Sequence, residues 1–270
     1  MFSPLRISQL FIYPIKSLGG ISLDRAFVTD RGFRYDRRWM LVNEDNGFIT
    51  QRTVPSMALI SVAVGVDGLQ VTSRLHPDPL FVSFVPAGAC YGEVYVWEDT
   101  CRAQFVSEEA DRWFSSALGV SCRLVYMPEE TLRATDPEYA PDGMITSFAD
   151  AFPFLLIGES SLADLNSRLE RALPMNRFRP NIVFTGGAPY QEDELSVFTI
   201  RDIRFWGVKP CARCPIPTID QTTAERGKEP LRTLARYRMR NNKVYFGQNL
   251  IHQGIGEIAV GDELIISPVF

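Results

Sequence analysis

The sequence predicts a mainly β protein with some α (an α+β fold), and three observations carry that expectation. Short runs of β-branched and aromatic residues recur at close spacing through the first half, turn residues separate several of them, and only three stretches read as helices. Strands so spaced suggest a barrel or a sandwich. At 270 residues, 46% apolar and 22% charged, the chain has ordinary globular composition. A chain of this size buries about 75% of its unfolded surface, enough for a core without staples. One large or two small domains would fit that length.

Arg6 to Pro14 reads as a strand closed by proline. The loop Ile15-Lys16-Ser17-Leu18-Gly19-Gly20 follows, where a cation and a hydroxyl before two glycines suit an anion. An ordinary turn with an exposed lysine explains the same residues. Strands are expected at 21–29, 38–43, 48–51, 59–66, 69–72, 80–85 and 94–97, with hairpin signals at Asp45-Asn46-Gly47 and Val66-Asp67-Gly68. Alternation along a strand would point Arg37 and Arg38 to opposite faces, leaving one cation facing inward, to be paired or to bind something.

Glu108 to Leu118 has helical periodicity with acids in its first turn, and Cys122 to Met127 reads as a strand. Pro128 to Gly143 lacks apolar period and marks the connection between a first domain, 1–128, and a second, 129–270. Beyond it come a strand at 154–157 and a helix opened by Ser161-x-x-Asp164 with capping-box spacing, running to about Ala172. Two arginines and two amides in Asn176-Arg177-Phe178-Arg179-Pro180-Asn181 lead into a strand at 182–185. Strands at 196–200 and 203–208, a short helix from Glu229-Pro230-Leu231 and closing strands at 244–251 and 261–266 complete the series. In the short helix, Arg232 and Arg236 would face solvent.

The net charge of −4 and a pI near 5.4 argue against a nucleic-acid footprint. Five irregularly spaced cysteines argue against a secreted disulfide framework. The N-terminus lacks a signal-peptide pattern, and no window approaches 18 uncharged apolar residues, so a cytoplasmic protein without a membrane partner is expected.

Chemistry concentrates in Lys209-Pro210-Cys211-Ala212-Arg213-Cys214-Pro215-Ile216-Pro217-Thr218-Ile219-Asp220. Three prolines keep a helix from running through it, which disfavours a thioredoxin-type thiol at a helix N-terminus. Neither Cys90, Cys101 and Cys122 nor His76 and His252 forms the second pair that structural zinc needs, and an iron-sulfur framework is missing. A site needing one thiolate, with an anionic cofactor beside Arg213, remains. Spacing alone does not choose between Cys211 and Cys214. Asp220 fits either a turn or a protonated acid.

Tyr13-Pro14-Ile15-Lys16-Ser17, Asp36-Arg37-x-Trp39, Ser161 to Asn166, Phe178-Arg179-Pro180-Asn181, Cys211-x-Arg213-Cys214, Glu229-Pro230-Leu231 and Phe246-Gly247-Gln248 occur in one order. Through them the chain resembles the MOSC family with its N-terminal β-barrel domain, most nearly the amidoxime-reducing members. The resemblance implies an N-terminal barrel-like domain, then a MOSC barrel with peripheral helices. It makes Cys214 the catalytic thiolate ligand of a molybdenum cofactor. Lys16, Ser17, Arg37, Arg179, Asn181, Ala212, Arg213 and Asn249 would hold the rest. Asn249 stands where vertebrate members have tyrosine, and Arg38 where they have an aromatic residue. The implied activity is two-electron reduction of N-hydroxylated small molecules by a monomer. Electrons would come from a separate ferredoxin, flavoprotein or cytochrome, since no ferredoxin segment follows. A cofactor carrier or persulfide-transfer protein is the alternative, and the family also admits pyridoxal phosphate as a bound group.

Overall fold

The computed structural model describes residues 4–86 and 88–267. It is mostly β, as expected. Among the described residues no helix is long and apolar enough to cross a membrane.

The longest sheet runs in the order Ile21–Leu23, Arg6–Ile12, Ile182–Thr185, Phe154–Gly158, Lys243–Gln253, Ile203–Ala212, Val197–Ile200, Leu264–Ile266. Leu10 thus pairs with Ile182, and Gly256–Ala259 pairs with Arg25–Thr29. Hydrogen bonding therefore crosses the 128/129 position. The first half adds a sheet of Trp39–Val42, Arg123–Tyr126, Asp99–Phe105 and Tyr91–Val96, and a meander of Ile60–Val64, Gly68–Ser73 and His76–Ser83.

Helix α1, Glu108–Leu118, has the predicted bounds. Ser107 caps it by accepting the Ala110 amide, three acids line its first turn, and Gly119 ends it at φ 68°. Trp113 and Phe114 bury against Leu80, Val82 and Leu124. Each large side chain so covered stabilises by roughly 1.5–3 kcal/mol.

Three local expectations are corrected. The strand expected at 48–51 is not formed beyond a bridge between Phe48 and Val42. Instead the Thr50 carbonyl accepts the amides of Thr53 and Val54, turning the chain at Arg52 into a 3₁₀ turn, Pro55–Leu59. The helix expected from Ser161 begins earlier and ends sooner: α2 is Glu159–Asn166 with Gly158 as its N-cap. Ser161 is no cap, because its hydroxyl donates to Glu192 and accepts the Tyr190 amide, both at 2.7 Å. Asn166 ends the helix by exchanging two hydrogen bonds with Leu173. Finally, Arg37 sits at φ 48° ahead of the strand, so a left-handed turn rather than strand alternation separates it from Arg38.

The third helix, α3, is Leu231–Leu234; it buries Leu234 and exposes Arg232, and Arg236 is exposed just beyond its end. The strand Ile203–Ala212 runs four residues past the predicted Val208 and contains Pro210. Its register against Lys243–Gln253 shifts on both sides of that proline, an irregularity that tolerates a missing N–H.

Candidate functional site

Tyr13, Pro14 and Trp39 build the first wall. The Lys16 amide donates to the Trp39 carbonyl at 2.8 Å and the Arg37 amide to Tyr13 at 2.9 Å, so two loops are pinned together. Ser17, Arg37 and Arg179 all hold left-handed φ, at 67°, 48° and 57°. Non-glycine residues rarely adopt that conformation, and it clusters where side chains are held in place for function.

These loops bound one cavity of about 1110 Å³ between the two halves of the chain. Its lining includes Lys16, Ser17 and Arg37 from the first half and Arg179 and Asn181 from the second. Ala212, Arg213, Cys214 and Asn249 line it as well, so the structure brings every candidate residue together. Seven cations and four acids face this space in a protein of net charge −4. That imbalance favours an anionic occupant.

Arg37 and Arg179 lie over the Tyr13 ring, 4.3 and 4.2 Å from its centroid. Asp36, buried, accepts the Tyr13 amide through one oxygen and Arg37 Nη1 through the other at 2.6 Å. Burial raises the Tyr13 phenol to about 12 and lowers the Arg179 guanidinium to about 10. Arg179 donates to the Leu18 carbonyl at 2.7 Å, but its Nη2 is buried without a hydrogen-bond partner. Arg213 is similar: it donates to Phe178 and Cys211, while its Nε is unpartnered. Such buried donors are costly unless something accepts from them.

Lys16 is buried and donates to Asp150 at 2.6 Å and to the Phe148 carbonyl at 2.7 Å. Burial lowers its ammonium to about 8 despite that partner. Burial alone would raise Asp150, but attraction to Lys16, their hydrogen bond, Arg52 and Arg37 hold it below the usual carboxylate range. Asn181 is structural as well: its side chain accepts from Arg37 and the Leu155 amide and donates to Phe11. Asn249 donates to the Lys209 carbonyl at 3.1 Å.

The two cysteines differ. Cys211 ends near Arg213 Nη1 at 3.2 Å, and burial pushes its thiol up. Cys214 follows the irregular strand and faces Arg52 Nη1 at 3.8 Å. Arg177 supports this segment from behind, donating to the Pro217 carbonyl and pairing with Asp220. Asp220 is a turn residue: Thr222, through side chain and amide, and the Thr223 amide hold its carboxylate low, so it is not a protonated acid.

Sequence reasoning assigned no role to Asp150, Arg133, Arg52 or Tyr13. Arg133 donates to the carbonyls of Ser147, Ala149 and Asp150, fixing the segment that answers Lys16. Arg52 lies 4.5 Å from the Trp97 ring centroid and 5.5 Å from that of Phe48. An isolated acid in the apolar run Phe148 to Pro153 was the available signal for Asp150.

Fold and cavity together define a mainly β protein whose halves enclose a net-positive cleft with a cysteine pair. The chain belongs to the MOSC-domain family. Residues 4–121 match the MOSC N-terminal beta barrel domain and residues 144–265 the MOSC domain. It is 35% identical to mitochondrial amidoxime-reducing component 1 of Mus musculus, over 96% of this chain and 82% of that one. The Homo sapiens protein of that name is 33% identical over the same shares. Molybdenum cofactor sulfurase of Oryza sativa subsp. japonica is 31% identical over 94% of this chain, which spans 33% of that protein.

Proposed function

We propose that this cleft holds a molybdenum cofactor and that the protein reduces N-hydroxylated compounds with electrons from a separate protein. One observation carries the reading: Cys214 shares a net-positive cavity with guanidinium donors of Arg179 and Arg213 that have no protein acceptor. A phosphate or pterin would satisfy them, and a soft thiolate suits a metal bound by sulfur. When bound, the cofactor supplies the two-electron chemistry that removes oxygen from an N–O bond. Cys214 is the ligand, while Lys16, Ser17, Arg37 and Arg179 hold the anionic end. Asn181 keeps Arg37 in place, Asn249 and Ala212 shape the wall, and Arg213 adds a positive charge beside Cys214. The buried lysine of the cleft, Lys16, is held by Asp150 rather than free to condense with pyridoxal phosphate.

The relatives named molybdenum cofactor sulfurase favour a second reading, a carrier or persulfide acceptor at Cys214. Purification from a cofactor-competent host separates the two. Stoichiometric molybdenum that is lost in Cys214→Ala but kept in Cys211→Ala, with benzamidoxime reduction by a chemical reductant, supports the reductase. Metal-free protein that takes labelled sulfur onto Cys214 overturns it.

A further inference from the structure

The segment Arg226–Lys243 carries seven cations and one acid, +6 in a chain of net −4, which leaves −10 for all other residues. Six of the seven cations are exposed; Arg238 alone is buried. Glu229 is engaged by Arg232 at 2.7 Å, and Asp193 by Arg238 and Arg240. Arg236, Lys228 and Lys243 make no ion pair among the described residues. Met239, half exposed, lies among them. A flexible thioether ringed by cations suits a contact that must form and release.

Position gives this charge its meaning. Met239–Arg240 pairs with the start of Lys243–Gln253, and the tip of this hairpin reaches the cavity, because Asn242, Lys243 and Val244 line it. The Val244 carbonyl accepts the Arg213 amide at 2.7 Å, one residue from Cys214.

We propose that Arg226–Lys243 is the docking surface for the electron donor, and that the donor presents an acidic face. The inference rests on the reductase reading. Opposite charge steers encounter and fixes orientation, and docking here would place a donor's redox centre at the rim nearest Cys214.

The test uses metal-loaded enzyme with benzamidoxime and three purified acidic donors, each with its reductase: a plant-type ferredoxin, a flavodoxin and cytochrome b5. Dithionite-reduced methyl viologen is the donor that needs no docking. With whichever protein donor supports turnover, Arg236→Glu combined with Arg240→Glu should lower kcat/KM at least about tenfold at low ionic strength. The deficit should shrink at about 0.5 M NaCl. Viologen-driven turnover should stay at the wild-type rate, and Arg112→Glu on α1 should change nothing. Unchanged donor-driven kcat/KM in the double variant overturns the proposal. So does failure of all three proteins to reduce an enzyme that viologen drives. Failure of viologen itself with metal-loaded enzyme removes the reductase reading, and the docking surface with it.

Discussion

Lys16 and Asp150 lie 134 residues apart and meet at 2.6 Å, joining a loop of the first half to the segment that enters the second. The pair is buried on the lysine side and open to the cavity on the carboxylate side. It ties the shape of the cleft to the charge of one ammonium.

That ammonium, lowered to about 8 from 10.5, gives a pH dependence with opposite signs. Between those values the folded chain holds fewer protons than the unfolded one, so through this group stability rises with pH. The grip on an anion falls over the same window. Molybdenum content after dialysis should therefore drop between about pH 7 and about pH 9.5 while circular dichroism shows folded protein throughout. Lys16→Met should have low content at both. Equal content in the wild type at the two values would contradict this role for Lys16.

Arg179 makes no ion pair among the described residues, so Arg179→Met removes a buried charge without orphaning another. We expect stability to denaturant no lower than wild type, with molybdenum content reduced. Arg37→Ala should behave differently, since it strands the buried Asp36. It should cost about 3–5 kcal/mol and lose the metal as well. Full metal occupancy in both variants would remove them from the cofactor site.

Away from the cleft, Glu192 is fully buried, one carboxylate oxygen bonded to Ser161 and the other without a partner. Burial raises it to about 7 from 4.5. The folded chain then holds an extra proton between those values, so stability falls as pH rises through them. Glu192→Gln should raise unfolding free energy at pH 8 by on the order of 1–3 kcal/mol, with the gain vanishing near pH 4. Urea titrations at the two pH values read this directly.

Ser107→Ala tests the frame alone. Loss of the cap on α1 should cost about 1 kcal/mol and leave molybdenum content unchanged.

Much of the frame was legible because its signals are local. Periodicity and capping residues placed α1 to the residue, and alternating apolar runs placed most strands within a few positions. The Ser161-x-x-Asp164 spacing misled because its hydroxyl has a better partner in Glu192, 31 residues away. Of the site, the cations and cysteines could be named from their motifs, but their supports could not. Asp150, Arg133 and Arg52 act only through contacts with distant residues, and no local pattern encodes those.

Pairing of Arg6–Ile12 with Ile182–Thr185 has a consequence for synthesis. During translation the first strand can pair early with Ile21–Leu23, but the edge that meets Ile182–Thr185 stays open until most of the chain has left the ribosome. Closure of that loop is slow in the manner of all high-contact-order sheets. The nascent protein therefore passes through a stage in which one edge of its earliest strand is still unpaired.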